Sequence, residues 1–273
     1  MQRRDRVMGV INGRKASDVN YKEQRGEERA SNTSPRDDDT IIGRAFVASL
    51  KDCAKRKDIH KGIQIHADIH KRGLLQNNIF VGNSLINMYA KCGELSRARD
   101  VFDELEVRTL VSWSTLIAGY SRHGYGEEAL VSFEKMQKDG FSPSAITFVC
   151  ILKACGNIGA FDKGREIHSM ILKEGLLQKN NIIGNALVDM YAKCGVLEKA
   201  QEVFDELPML DVISWTALIS GYAIHGHNEA ALKCFSQMQD KGFSPNAVTF
   251  ACVLKACGAT GDVDKGEDIH AKV

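Results

Sequence analysis

The sequence predicts an all-α protein, a right-handed α-solenoid of stacked helix-turn-helix hairpins, and two observations predict it. The first is a repeat at a fixed offset of 102 residues, in which 48 of the 86 positions of 83–168 recur in 185–270. The second is apolar spacing at i, i+3, i+4 and i+7, with no competing alternation of period two. Because two short helices cannot bury their apolar faces alone, such hairpins must stack on their neighbours.

Long identical segments carry the repeat. Asn83-Ser-Leu-Ile-Asn-Met-Tyr-Ala-Lys-Cys-Gly93 returns as Asn185-Ala-Leu-Val-Asp-Met-Tyr-Ala-Lys-Cys-Gly195. A weaker trace is the set Cys53, Gly62 and His66, which recurs after one offset and again after two. This trace places the start of the array near residue 43.

Recurring glycines divide the array into hairpins of 36, 31 and 35 residues in rotation. In one of them, Leu85, Met88 and Tyr89 share one face of a first helix, and Gly93 ends it. A second helix follows with the same helical spacing. The predicted hairpins are 43–78, 79–109, 110–144, 145–180, 181–211, 212–246 and the shortened 247–273.

Residues 1–42 differ in kind from this array. They hold nine Lys or Arg and eight Asp or Glu and almost no apolar periodicity, so we expect a disordered N-terminal segment. The chain as a whole has a net charge of +1, which is not the strongly basic balance typical of nucleic-acid-binding proteins. No apolar run is long enough to predict a membrane span. The eight cysteines form no C-x-x-C pair, so we expect reduced thiols.

Three motifs resemble those of one family. They are the segment 185–195 given above, Val212-Ile-Ser-Trp-Thr-Ala-Leu-Ile-Ser-Gly-Tyr222, and the Thr-Phe-x-x-Ile/Val-Leu-Lys-Ala-Cys-Gly that ends at Gly156 and Gly258. They look like land-plant pentatricopeptide repeat (PPR) proteins of the PLS subclass, in which long, short and pure repeats alternate. In that order, 43–78 and 145–180 are long, 79–109 and 181–211 short, 110–144 and 212–246 pure, and 247–273 a truncated long repeat.

The resemblance covers residues 43–273 and carries functional expectations. It implies a fold like that of tetratricopeptide repeats, although their strict 34-residue period is absent. It also implies sequence-specific binding of single-stranded RNA in the mitochondrion or chloroplast, with the chain acting as a specificity factor for C-to-U editing or for RNA processing. The alternative function is a helical-repeat scaffold for protein–protein interaction.

The family's register assigns base reading to the fifth and last residues of each repeat. The RNA-binding candidates are therefore Asn83 with Thr109, Ser114 with Ser144, Asn185 with Asp211, and Thr216 with Asn246. The second residues are candidates for sandwiching bases, and they are Phe80, Val111, Ile182 and Ile213. The long repeats place valine at the fifth position, Val47 and Val149, so their role in base reading stays open.

Side-chain chemistry suggests a base for each pair. The Asn185 amide with the acceptor-only Asp211 carboxylate suits the N3–H donor of uracil and not the unprotonated N3 of cytosine. Thr216 with Asn246 leaves room for a purine, which the resemblance makes adenine. With a pyrimidine and a purine for the first two pairs, the expected core is 5′-Y-R-N-U-A-3′. A simple capping role for Asp211 is the alternative.

Other candidate chemistry is weak. Trp113 and Trp215 suggest base stacking, but their place on an apolar helix face favours core packing. His227-Asn-Glu229 matches the His-x-Glu of zinc nucleobase deaminases, but no C-x-x-C completes that site. We therefore predict no catalytic residue, no metal and no cofactor, and no membrane partner. If the process is editing, a partner protein of an editing complex must supply the deaminase in trans.

Overall fold

The computed structural model describes residues 37–271, and within them it contains fifteen α-helices and no strand. The all-α prediction is confirmed. The helices are α1 (Asp37–Arg56), α2 (Ile59–Lys71), α3 (Leu74–Asn77), α4 (Ile79–Cys92), α5 (Leu95–Glu104), α6 (Leu110–Arg122), α7 (Gly126–Lys138), α8 (Ala145–Ile158), α9 (Phe161–Lys173), α10 (Asn181–Lys193), α11 (Leu197–Asp205), α12 (Val212–Ile224), α13 (Asn228–Asp240), α14 (Ala247–Thr260) and α15 (Val263–His270).

The helices pair into hairpins that stack as an α-solenoid. From residue 79 onward, every first helix starts at the first residue of a predicted repeat, at 79, 110, 145, 181, 212 and 247. Consecutive first helices contact each other from α1 to α14. Each second helix before α15 packs on its own first helix and on the first helix of the next repeat, so one apolar core runs through the stack.

The predicted disordered segment 1–42 extends too far. Residues 1–36 lie outside the described residues, but α1 begins at Asp37, so 37–42 are helical. Ile42 packs against the core, and Gly43 is buried beside Asn78. Because α1 lies against α4, tertiary contacts hold a turn that the polar composition did not predict.

The two tryptophans are core residues. Trp113 and Trp215 are both 2% exposed. Each ring meets a phenylalanine of the preceding second helix edge-on, with centroids 4.5 Å from Phe102 and 4.7 Å from Phe204 respectively. Edge-to-face packing of this kind stabilises a core and leaves no face for a base.

A histidine–tyrosine hydrogen bond joins each of the first two long repeats to the short repeat after it. His66 Nδ1 lies 2.8 Å from Tyr89 Oη, and His168 Nδ1 lies 2.9 Å from Tyr191 Oη. Burial lowers the pKa of both histidines below the ordinary value of 6.5. Both rings are therefore neutral in the folded protein at neutral pH.

We expect the array to lose stability as the pH falls below about 6.5. The unfolded chain then binds protons at His66 and His168 that the folded chain does not, so the free energy of unfolding falls on acidification. The contribution of these two histidines to stability is fully present above that pH. The check is the urea midpoint on both sides of that pH, in the wild type and in a double His→Gln variant. An acid loss that is equally steep in the variant would assign the effect to other groups.

Candidate nucleic-acid interface

The first helices expose a row of apolar side chains. All four predicted sandwich residues, Phe80, Val111, Ile182 and Ile213, belong to it. Their exposed fractions run from 59% for Val111 to 74% for Phe80. Apolar side chains exposed once per repeat along a stack of helices form a continuous contact surface.

The long repeats contribute to this row as well. Ile146 and Val248, the second residues of two long repeats, are 68% and 57% exposed. They were not expected from the sequence, because the fifth residues of the long repeats are apolar. Their position in the repeat could have identified them, because both side chains are aliphatic and both are second residues. The apolar row therefore consists of six residues, namely Phe80, Val111, Ile146, Ile182, Ile213 and Val248.

Two neighbours in the row bound a slot in the surface. Val111 on α6 and Ile146 on α8 line a cavity of about 360 Å³ that Ser114, Ser144 and Arg122 also line. Most of its lining is apolar, its polar groups include a fifth and a last residue together with Asn87 and Thr115, and Arg122 adds a guanidinium. Such a slot suits a flat ring that has a polar edge and is attached to an anionic group. Sequence reasoning missed Arg122, since the second copy has Ile224 in its place.

A shared hydroxyl joins the two serines of this slot. Thr147 Oγ1 lies 2.9 Å from Ser114 Oγ and 2.9 Å from Ser144 Oγ. Thr147 belongs to the next repeat and is fully buried. Because each hydroxyl can donate or accept, the donor pattern that the pair presents depends on how this chain of hydroxyls orients.

The last residue of each repeat also caps the next first helix. Asp211 is the N-cap of α12 and accepts hydrogen bonds from the backbone N–H groups of Ile213 and Ser214, both at 2.9 Å. From the sequence, capping and base reading were alternatives for Asp211. In the structure the two roles are compatible, because the cap holds the side chain beside its partner Asn185. The residues that cap in this way are Asn78, Thr109, Ser144, Asn180, Asp211 and Asn246.

Asn185 and Asp211 form a directly bonded pair. The Asn185 amide donates to both carboxylate oxygens of Asp211, at 3.1 and 3.0 Å. Asn181 adds a donor that the sequence pattern did not indicate, with its Nδ2 2.7 Å from Asp211 Oδ2. Counting the two backbone groups, four donors surround this carboxylate. A further donor must displace one of the two amides, because the capping groups are held by the helix.

The fifth-position asparagines each keep an acceptor without a partner. Asn83 Oδ1 and Asn185 Oδ1 are buried, and neither accepts a hydrogen bond from the described residues. A buried acceptor in this state costs free energy that an incoming donor recovers. Both fifth positions are therefore prepared to accept a hydrogen bond.

Thr216 and Asn246 are also in contact. Asn246 Nδ2 donates to Thr216 Oγ1 at 3.3 Å, while its Oδ1 accepts from the backbone N–H of Thr249 at 2.9 Å. Thr216 Oγ1 in turn lies 2.7 Å from Thr249 Oγ1. The structure thus brings three of the four predicted pairs into contact, directly or through a shared threonine. For Asn83 and Thr109, it shows no hydrogen bond between the two.

The described residues contain no group of three or more His, Cys, Asp or Glu side chains placed to hold a metal ion. His227, which begins the deaminase-like motif, is the N-cap of α13. Within residues 37–271, no helix is both long and apolar enough to span a membrane.

Family models match both copies of the repeat. One described as the PPR repeat family matches residues 108–157 and 210–259, and one described as the PPR repeat matches 83–109 and 185–212. These ranges cover the pure repeats and most of each short repeat, and they enter the long ones.

Similar curated proteins come from Arabidopsis thaliana. A pentatricopeptide repeat-containing protein named as chloroplastic is 41% identical over 222 residues, which cover 81% of this chain and 36% of the relative. The pentatricopeptide repeat-containing protein CRR2, also named as chloroplastic, is 40% identical over 230 residues, which cover 84% of this chain and 34% of the relative. The chain thus spans about a third of the length of these relatives.

A solved structure shares the fold. The crystal structure of the pentatricopeptide repeat protein PPR10 in complex with an 18-nt psaJ RNA element superposes with a TM-score of 0.69 at 16% identity. The match covers 82% of this chain and 33% of that one. It confirms the solenoid arrangement of the hairpins.

Proposed function

The chain belongs to the pentatricopeptide repeat family, and from this we propose that it binds single-stranded RNA in a sequence-specific way. The observation that carries the proposal is the slot between Val111 and Ile146, where two members of the apolar row flank a polar pair. A base inserted there has apolar contacts on its faces and hydrogen-bonding groups at its edge. The likeness to PPR10, whose structure contains RNA, supports the same function.

Four of the five intervals of the row have a polar pair, and the interval between Ile146 and Ile182 has Val149 in place of a polar fifth residue. Asn83 with Thr109, Asn185 with Asp211, and Thr216 with Asn246 occupy the same repeat positions as the serine pair, and they differ in donors and acceptors. The pairs therefore read the proposed core 5′-Y-R-N-U-A-3′, with U at Asn185 and Asp211. Ile146 and Val248 allow bases to stack at the long repeats also.

Charge supports a mode of binding that relies on base contacts. The array from residue 43 has equal numbers of basic and acidic side chains. Few phosphates are then neutralised, so the affinity depends only weakly on salt concentration and mainly on the bases. Arg122, which lines the slot, is one cation available to meet a phosphate.

The biological role that we propose is that of an adaptor of the PLS subclass. It selects organellar transcripts and acts as a specificity factor for C-to-U editing or processing, with catalysis supplied by a partner in trans. Relatives named as chloroplastic support an organellar location. Conversion of cytidine to uridine in an RNA, or cleavage of that RNA, by the purified chain alone would contradict the adaptor role.

Binding of the purified chain to short RNAs tests the proposal. We expect RNAs with the core 5′-Y-R-N-U-A-3′ to bind best, and U→C or A→U changes to weaken binding by about tenfold each. The same ranking should persist when the salt concentration is raised, because the discrimination comes from base edges. A steep salt dependence without base preference, or no binding by a folded chain, would instead favour the alternative function of a protein-binding scaffold.

Asn181 gives a sharper test of the uridine pair. We expect Asn181→Ile, which copies Ile79 of the earlier short repeat, to strengthen binding of U-containing RNA by about three- to tenfold. The substitution removes a donor that occupies Asp211 Oδ2, where the N3–H of uracil must bind. Titration of matched RNAs with U or C at this position measures the effect. An equal gain for C would contradict the competition, because cytosine has no N3–H.

A further inference from the structure

A cavity of about 650 Å³ lies among α11, α12 and α13, away from the apolar row. On α12 its lining includes Trp215, which lies two positions after Ile213 of the row. Because a helix turns by about 100° per residue, the cavity and the row are on opposite sides of this helix. The volume is within the range of about 300 to 1,000 Å³ that is common for ligand sites. We name this cavity the α11–α13 groove.

The first copy of the repeat holds two of its own arginines at the equivalent place. Arg99 Nε lies 2.8 Å from Asp103 Oδ2, and Arg108 Nη2 lies 3.9 Å from Asp103 Oδ1. Both guanidinium groups lie over the ring of Phe102, with Cζ 5.9 and 5.1 Å from its centroid. In this copy, an acid and an aromatic ring therefore bind guanidinium groups that the chain itself supplies.

The second copy keeps the acid and the ring but has neither arginine. Asp205 and Phe204 are the counterparts of that acid and that ring, and Gln201 and Leu210 replace the arginines. Gln201 Nε2 donates to Asp205 Oδ1 at 2.9 Å, and its Oε1 accepts from Tyr222 Oη at 3.1 Å. Among the described residues Asp205 forms no ion pair, so its carboxylate lines the groove without a cation.

A second charged side chain is lost beside the tyrosine. In the first copy, burial raises the pKa of Tyr120, and the charges of Arg99 and Glu128 also act on it, which places both charges near its hydroxyl. In the second copy, Ala230 replaces Glu128 and lines the groove. A shorter amide and a methyl group thus stand where the first copy has two long ionised side chains. The groove is open because these side chains are shorter.

We propose that the α11–α13 groove binds the side chain of an arginine on a partner protein. The guanidinium pairs with Asp205 beside Phe204, as the first copy's own arginines do with the equivalent acid and ring. Arginine suits the site better than lysine, because its planar group can bond to a carboxylate while it lies against an aromatic ring. Lys233 and Lys241 also line the groove and are available to donate to carbonyl groups of the bound segment. Because the groove faces away from the apolar row, the proposal does not depend on RNA binding.

NMR titration of the purified chain with short peptides tests the proposal. The chain has two tryptophans, and of these Trp215 lines the groove. We expect the peptide acetyl-Ala-Ala-Arg-Ala-Ala-amide to shift the indole N–H signal of Trp215 and to leave that of Trp113 in place. Peptides with citrulline or glutamate instead of arginine should bind at least about tenfold more weakly. Stronger binding of the glutamate peptide, or no shift at millimolar arginine peptide, would overturn the proposal.

Two variants and a matched control make the test specific. Gln201→Arg copies Arg99 of the first copy, so an internal guanidinium should occupy the groove and weaken peptide binding by at least about tenfold. Asp205→Asn should weaken it to a similar degree with little change in the thermal midpoint, because Asp205 is exposed. The control is Asp103→Asn, which makes the same change in the first copy and should leave the titration of Trp215 unchanged. Binding that survives both groove variants, or that the control weakens equally, would contradict the site.

Discussion

Replacing Asp211 with asparagine is expected to reduce the preference for U over C by about tenfold. The carboxylate only accepts hydrogen bonds, which matches the N3–H of uracil, whereas an amide can also donate to the N3 of cytosine. The carboxylate is fixed in place by the cap of α12 and by Asn185. The change therefore acts on chemistry at a position that does not move.

This substitution separates base reading from folding. Asparagine caps helices about as well as aspartate, and Asn246 performs that task for α14 at the same place in its repeat. The Asn181 amide can turn its unpartnered Oδ1 toward the Nδ2 of the new asparagine, so the urea midpoint of Asp211→Asn should stay close to that of the wild type. Fluorescence titration with matched U and C RNAs measures the ratio. An unchanged ratio with an unchanged midpoint would show that Asp211 only caps the helix.

Asn246→Ala provides the matched control in the next pair. It removes the donor to Thr216 and the cap of α14, so it should weaken adenine recognition and lower stability by about 1 kcal/mol together. Asp211→Asn should alter recognition alone. The comparison shows whether a given last residue contributes through its cap or through its polar edge.

The starts of the first helices could be predicted from the sequence because local signals set them. A capping residue, an apolar face and a closing glycine recur 102 residues apart, and none depends on distant contacts. The exposed second residues follow from the same register. The periodicity of the sequence therefore predicts where the helices of the interface lie and which of their side chains face outward.

The contacts made by residues that differ between copies could not be predicted. Asn181 stands where the first copy has Ile79, so comparison of the repeats gave no reason to single it out. Its bond to Asp211 spans 30 residues and depends on side-chain rotamers. The first turn of α1 was missed for a similar reason, because its stability comes from packing on α4 and not from its own composition.

Replacing Gly221 with leucine is expected to destabilise the array by about 3 kcal/mol. A Cβ at this position would lie 2.5 Å from Ala192 Cβ and 3.3 Å from Ala192 Cα. An alanine Cβ cannot rotate away, so α10 and α12 must separate. Gly119 approaches Ala90 in the same way in the first copy, with the corresponding Cβ distance at 2.8 Å. Denaturant unfolding measures the loss.

Gly258→Leu is the control, because this glycine is also helical and an added Cβ would meet nothing within 4 Å. We expect it to be neutral or stabilising, since leucine favours a helix over glycine by up to about 1 kcal/mol. A loss of stability equal to that of Gly221→Leu would mean that side-chain bulk in general, and not the contact with Ala192, is responsible.

The same contact at Gly221 sets the spacing of the interface. Ile182 and Ile213 stand on α10 and α12, so the distance between these helices fixes the gap that a base must fill. Gly221→Leu should therefore weaken RNA binding even at temperatures where the chain remains folded, and the loss should be similar for U and C. Asp211→Asn, in contrast, should change the ratio between the two bases. The close packing of first helices determines whether a base fits, and the polar pair determines which base it is.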